Sequence, residues 1–217
     1  MARERIQIDY HVTPVGIGRS VFVSAPSTKF NADGVFSTKL VLDREEASGL
    51  MAVLDKAVEA ALEDAIRKNP KLKKQIKKAE PYTDDLDEDG EETGKVVFSF
   101  KRVHRQKLKD GTVKVNKVKV IDTDGKVIDE PVWAGSKFAV RFFITPYFME
   151  SDKSAGLSLK MTHVLVADLV SAGSGDGDED VSRLGFGKID GYKSAGKKAA
   201  SADDEETAED EDGNADF

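Results

Sequence analysis

The stretch GSKFAVRFFITPYF, residues 135–148, alternates between two kinds of position along most of its length. Phe138, Val140 and Phe142 fall on one side of an extended chain, and Arg141 falls on the other side. Successive side chains of a β-strand point to opposite faces, so this period of two predicts a long strand with one buried face.

Similar patterns on both sides of this stretch predict a mainly β protein. Strand-like segments occur within residues 6–42, in KVVFSFKRVHRQKL and TVKVNKVKVID between residues 95 and 122, and in GLSLKMTHVLVADLV, residues 156–170. The last of these places on one face Leu157, Leu159, Met161, His163, Leu165 and Ala167. Five or six strands are too few for two full sheets, so we expect them to form a small closed barrel.

One long helix interrupts the strands. Leu50, Leu54 and Val58 begin an apolar stripe at helical spacing. We expect a helical insertion over about residues 44–79, with a second short helix after Asn69-Pro70. The seven bases between Arg67 and Lys78 are interpreted either as a solvated helical face or as a peripheral contact for nucleic acid or for the tail.

The remaining segments differ sharply in composition. Residues 81–94 contain seven acids and two glycines, which predicts a surface loop. Residues 1–170 are expected to form one barrel domain, and residues 171–200 to form a flexible linker. Residues 201–217 contain nine acids and no Lys or Arg, which predicts a disordered acidic tail. The whole chain has a net charge of −7, so residues 1–200 carry a net +2.

The sequence offers little support for catalysis. It has no Cys, and its three histidines lack partners at metal-ligand spacing. No Ser lies in a nucleophile-elbow context, and GYKSAGKK, residues 191–198, lacks the strand and the Ser/Thr of a phosphate loop. We therefore expect no catalytic residue, metal or cofactor, since a nuclease would need a metal site that the sequence does not show. No apolar run approaches the length of a membrane span, so no membrane partner is expected.

The segment between residues 95 and 160 has the composition needed to bind single-stranded nucleic acid. Such binding combines cations that follow the phosphates with aromatic faces on which bases stack. We interpret Phe100, Phe138 and Phe142 as core residues, whereas Tyr147 and Phe148 follow Pro146 at a strand end and are harder to explain as core. The candidate DNA-binding residues are Lys101, Arg102, Arg105, Lys137, Arg141, Tyr147, Phe148 and Lys160.

An acidic tail can interact with a domain whose basic surface binds DNA. The tail is expected to compete with DNA for the basic surface and to bind partners when DNA displaces it. The tail residues expected to bind partners are Asp210, Glu211, Asp212, Asp216 and Phe217. The alternative is a protein-interaction module or scaffold that docks through its acidic tail and does not bind DNA.

Several segments, in this order, resemble the single-stranded DNA-binding proteins of podophages of the T-seven type. They are GVFSTKLVL, the long helix, VFSFK, the stretch from VKVID through GSKFAVRFFITPYF, AGLSLKMTHVLVADLV, and the acidic run that ends in Phe217. Each segment is weak evidence by itself, but their order is specific.

The resemblance implies an OB-fold barrel and sequence-independent binding of single-stranded DNA. It also implies strand annealing, a homodimer, action in the cytoplasm of a bacterial host, and tail contacts with the phage DNA polymerase and primase-helicase. By this resemblance Tyr147 is a stacking residue, Lys101 contacts DNA and Phe217 contacts partners. The chain departs from the family pattern at Met149, where the pattern has Trp, and at Asp33, where it has a base.

Overall fold

The computed structural model describes residues 8–108 and 110–170. Within these residues the chain forms eleven strands, one long α-helix and a short 3-10 turn. The strands are β1 (Tyr10–Val12), β2 (Gly16–Ser27), β3 (Val35–Asp43), β4 (Lys77–Lys78), β5 (Tyr82–Leu86), β6 (Glu92–Val103), β7 (Arg105–Lys107), β8 (Val113–Val115), β9 (Lys119–Ile121), β10 (Lys137–Met149) and β11 (Ser154–Asp168), and the helix is α1 (Arg44–Lys68).

Five long strands close into a barrel. The pairing runs from β10 through β2, β3 and β6 to β11, and β11 pairs back to β10. All these pairs are antiparallel except β6 with β11. Gly18 permits the closure between β2 and β10, because a Cβ there would lie 2.3 Å from the Phe138 ring. A five-stranded barrel with one long helix between its strands confirms the predicted OB fold.

Aromatic and β-branched side chains fill the barrel. Four phenylalanines are fully buried, namely Phe98, Phe100, Phe138 and Phe142. The last three were predicted as core residues. Each buried side chain of this size contributes about 1.5–3 kcal/mol relative to an exposed one. The helix α1 packs against the barrel through a stripe of small and branched residues, namely Ala47, Leu54, Val58, Ala61 and Ala65.

The helical insertion is shorter than predicted. The helix α1 ends at Lys68, and Asn69 closes it by donating its side-chain and backbone N–H groups to the Ala65 carbonyl. Pro70 has no N–H and disfavours a helical conformation at the residue before it, so α1 does not continue past Asn69. The predicted second helix to Ala79 is absent from this described part of the chain. The chain instead makes a 3-10 turn at Pro70–Leu72 and then the short strand β4.

The acidic segment 81–94, predicted as a loop, is mainly a β-hairpin. The strand β5 pairs with β6 from Tyr82 opposite Phe98 to Leu86 opposite Glu92. Asp85 is buried in this hairpin because Arg19 binds its carboxylate, with a shortest N–O distance of 2.6 Å. Its acidic residues are compatible with a strand because the buried carboxylate has a cation and the others face solvent.

A β-bulge in β11 reverses half of the predicted inner face. Arg141 pairs with His163 and Phe142 pairs with Met161, so Thr162 is an extra residue on β11. The buried positions therefore continue at Val164 and Val166 instead of His163, Leu165 and Ala167.

The linker 171–200 and the acidic tail 201–217 lie outside the described residues, and both remain predictions. In the described part of the chain, no helix combines the length and the apolar character needed to cross a bilayer.

Candidate nucleic-acid interface

Three cations, Lys101, Arg102 and Lys160, meet where β6 lies beside β11. Lys101 and Lys160 are register partners across this parallel pair, so their side chains leave the sheet side by side. Arg102 and Lys160 line the same shallow depression. Within residues 8–108 and 110–170, none of the three forms an ion pair with a carboxylate.

The electrostatics of this site favour an anion. Burial lowers the pKa of Lys160, and the nearby charges of Arg102 and Lys101 lower it further. Burial also lowers the pKa of Arg102. Arg102 donates to the Asn116 side-chain oxygen at 3.0 Å, but its buried Nε has no hydrogen-bond partner in the described part of the chain. A bound anion would stabilise all three cations in their charged forms.

Aromatic rings alternate with these cations. The ring of Phe143 lies 5.2 Å from the Arg102 guanidinium carbon, and Phe143 is the register partner of Lys160. Tyr10 meets Phe143 edge to face, with 6.0 Å between the ring centres, and the guanidinium of Arg141 lies 3.8 Å over the Tyr10 ring. Such contacts fix the orientation of a guanidinium without neutralising its charge.

Tyr147 closes the other end of this row. It lines a depression together with Lys101, Lys160 and Met149. Its ring lies across Gly156 of the neighbouring strand, where an added Cβ would be 2.8 Å from the Tyr147 hydroxyl oxygen. The glycine therefore makes room for the ring beside the cations. We call the whole row the basic aromatic stripe, which consists of Tyr10, Lys101, Arg102, Arg141, Phe143, Tyr147 and Lys160.

Five of the eight candidate DNA-binding residues lie in the stripe, and Phe148 does not. Neighbouring residues of a strand face opposite sides, so Phe148 points away from the outer face. It lines a depression with Ala61, Ala65 and Asn69 at the end of α1, whose rim Tyr147 also reaches. Its role as a stacking residue stays a prediction.

Lys137 and Arg105 also lie outside the stripe. Lys137 begins β10, about 33 Å along the strand from Tyr147, and pairs with Asp168 at 3.8 Å. Arg105 belongs to the β7–β8 hairpin, where Gln106 and its partner Lys114 are the residues that line the depression beside Arg102. Alternation along β7 therefore places Arg105 on the far face of the hairpin.

Tyr10 was absent from the predicted site. It reaches the stripe because β1 pairs with β10, with Tyr10 opposite Phe143. The two residues are more than a hundred positions apart, and nothing in the short β1 segment indicates which strand it joins. The only signal was an aromatic residue at an alternating position near the start of the chain.

The predicted tail residues lie outside the described residues. Among residues 8–108 and 110–170, no group of three or more His, Asp or Glu side chains is arranged to hold a metal ion.

A comparison with known protein families matches most of the chain. A family model described as "Single-stranded DNA-binding protein, Bacteriophage T7" matches residues 22–169, which is more than half of the chain. The family is one of DNA-binding proteins and not of enzymes, which confirms that the chain is not an enzyme.

Two relatives and one solved structure are similar to most of the chain. The single-stranded DNA-binding protein of Enterobacteria phage T3 is 27% identical over 83% of this chain and 80% of its own length. The corresponding protein of Escherichia phage T7 is 26% identical over 84% of this chain and 81% of its own. The crystal structure of gp2.5, a single-stranded DNA-binding protein encoded by bacteriophage T7, shares the fold with a TM-score of 0.65 at 19% identity, over 87% of this chain and 100% of that one. By the family match, the chain belongs to the T7-type family of phage single-stranded DNA-binding proteins.

Proposed function

We propose that this protein binds single-stranded DNA without sequence preference through the basic aromatic stripe. Lys101, Arg102 and Lys160 bind backbone phosphates, and bases stack on Tyr147 and Phe143. Every base has a flat face, so stacking is tolerant of sequence. The observation that carries the proposal is the cluster of three cations without carboxylate partners in the described residues, flanked by aromatic rings on both sides.

The position of the stripe on the barrel supports the same proposal. It follows β10 from Arg141 to Tyr147, about 20 Å at the usual rise per residue. OB folds bind between 4 and 16 nucleotides each, so a groove of this length suits several nucleotides. Lys137 and Arg105 are proposed as peripheral phosphate contacts on a longer strand.

We also propose a role in phage DNA replication and recombination, in which the protein protects single strands and anneals them in the cytoplasm of the bacterial host. The membership of the chain in a phage family supports this role. A homodimer is proposed from the same membership.

The acidic tail 201–217 is proposed to compete with DNA for the stripe and to recruit the phage DNA polymerase and primase-helicase. Its nine acids, against a net +2 on the rest of the chain, support the competition. Phe217 is proposed to add an aromatic contact with the partner protein.

Fluorescence anisotropy with a labelled oligo-dT strand tests the DNA-binding proposal. The wild type should bind at low salt, and its affinity should fall steeply with added salt, because binding releases counterions from the phosphates. Tyr147→Ala should weaken binding by about 1–3 kcal/mol, the usual loss for one stacked base. Tyr147→Phe keeps the ring and should bind nearly as well as the wild type.

No binding of oligo-dT at low salt would refute the proposal and favour an interaction module instead. Equal affinities for the wild type and Tyr147→Ala would remove Tyr147 from the interface. Double-stranded DNA of the same length is the specificity control, since paired bases offer no free faces for stacking.

A further inference from the structure

The bulge in β11 turns a histidine toward the outer face of the barrel. Because Thr162 is the extra residue, His163 lies opposite Arg141 on β10 and opposite Lys119 on β9. Three basic side chains from three neighbouring strands therefore stand at one level of the sheet. We call them the outer cation cluster: Lys119, Arg141 and His163. The cluster continues the stripe, since Arg141 stacks on Tyr10.

In the part of the chain that the structure describes, no carboxylate pairs with this cluster. The neighbouring acids have other partners. Asp122, just after β9, accepts the backbone N–H groups of the turn that follows it. Asp168, at the end of β11, pairs with Lys137, and Asp9, just before β1, lies 3.9 Å from His11. The positive charge of the cluster is therefore available to an external anion.

The hydrogen bonds around His163 define which ring nitrogen takes up a proton. The Thr162 hydroxyl donates to the Arg141 carbonyl at 3.0 Å, because a carbonyl can only accept. The hydroxyl has a single hydrogen, so its oxygen accepts from the N–H at His163 Nδ1, 3.1 Å away. The neutral ring is then unprotonated at Nε2, which is not buried and makes no hydrogen bond within residues 8–108 and 110–170.

Neutral His163 is favoured when no anion is bound. Burial lowers the pKa of His163, and the charges of Arg141 and Lys119 lower it further. A phosphate between these side chains would reverse the effect of the two charges, because it would attract a proton on Nε2.

We propose that the outer cation cluster is a second phosphate-binding site, at which His163 donates a hydrogen bond through protonated Nε2 to the backbone of a bound DNA strand. This inference rests on the proposed function and extends the DNA path beyond Arg141 to β9. It makes DNA binding take up a proton, so that affinity rises as the pH falls through the range in which His163 titrates.

The test uses full-length protein with ¹³C-labelled histidine, alone and saturated with oligo-dT. Two-dimensional spectra follow the Cε1–H signals of the three histidines between about pH 8 and pH 5, the range of histidine titration. The pKa of His163 should be higher with DNA than without it. His11 lies off the cluster beside Asp9 and serves as the internal control.

Affinity measurements on variants give a second readout. For each unit by which DNA raises the pKa of His163, the wild type should bind DNA up to about tenfold more tightly at low pH than at high pH. His163→Gln, which cannot titrate, should lack this extra increase, and Lys119→Gln should weaken binding and reduce its salt dependence. Lys56→Gln, on the exposed side of α1, is the matched control and should behave like the wild type.

A pKa of His163 that stays the same or falls when oligo-dT binds would overturn the inference. So would equal pH dependence of affinity in the wild type and His163→Gln. Either result leaves the proposed function intact, because the wild type still binds oligo-dT. Failure of the wild type to bind at any pH would overturn the proposed function and this inference together.

Discussion

Replacing Lys160 with methionine should stabilise the fold and weaken DNA binding at the same time. Lys160 is half-buried between Lys101 and Arg102, and its lowered pKa records that the folded chain disfavours its charge. Methionine keeps the length and the apolar stem of the side chain without the ammonium group. The substitution therefore removes two like-charge contacts and one proposed phosphate contact.

The register places Lys101 opposite Lys160, and the charge of Arg102 also acts on Lys160. Cross-strand pairs are worth roughly 0.2–1 kcal/mol each, so losing both repulsions should stabilise the protein by about 1 kcal/mol. For a domain of this size, that raises Tm by about 2–4 °C. The slope of log affinity against log salt concentration should become shallower by about 0.7, the value for one phosphate contact on a single strand.

Thermal unfolding and anisotropy titrations at several salt concentrations measure these changes. The gain in Tm should shrink in about 1 M salt, where charges a few ångströms apart are screened. The pH dependence has a definite sign. The lowered pKa means that the penalty is present at neutral pH and disappears as the pH rises through that pKa toward the ordinary 10.5. Lys160→Met should lack this rise in stability.

Lys56→Met, on the exposed side of α1, is the matched control and should change neither quantity. A Lys160→Met protein with unchanged or lower Tm would refute the assignment of a repulsive cluster. An unchanged salt slope would show that Lys160 does not contact phosphate.

Three further perturbations probe other parts of the structure. Gly156→Ala puts a Cβ 2.8 Å from both the Tyr147 hydroxyl oxygen and the Ala79 Cβ. It should cost roughly 1–3 kcal/mol in chemical unfolding and weaken oligo-dT binding, and unchanged binding would contradict the packing described for the ring. Asp85→Asn should cost roughly 1–3 kcal/mol at neutral pH, because it removes the charge that binds Arg19. The hydrogen bond from Arg19 lowers the pKa of Asp85 below 3.8, so this stability is present above pH 3.8 and is lost as the pH falls through the lowered pKa. A stability difference between the wild type and Asp85→Asn that stays constant as the pH falls would contradict this. Deleting residues 201–217 should tighten oligo-dT binding by a factor that shrinks with salt, because nine negative charges are removed; equal affinities at all salt concentrations would argue against competition by the tail.

The parts of the fold that could be predicted from sequence are those governed by short periods. The alternation around Phe138 and Phe142 predicted the inner face of β10, and the apolar stripe that includes Leu54 and Val58 predicted α1. Lys101 and Lys160 were predicted as separate cations, and the parallel pairing of β6 with β11 places them together.

The remaining features depend on long-range contacts that a period does not encode. Thr162 is an ordinary strand residue in the sequence, yet it is the extra residue of a bulge that exchanges the faces of His163 and Val164. The strand β5 contains two acids among its five residues, and the buried carboxylate of Asp85 is paired with Arg19 on β2, which no local pattern indicates. Both features follow from how distant strands meet.

The pairing of β10 with β11 along nearly their whole length affects how the stripe would bind DNA. Most of the stripe lies on these two strands, whose backbones are paired along nearly their whole length in a ladder that the bulge at Thr162 interrupts. A backbone that is already ordered in this way loses little conformational entropy on binding. It also has little freedom to adjust to one base rather than another. The proposed indifference to sequence would then be a property of a rigid surface, on which the flexible DNA strand makes the adjustments.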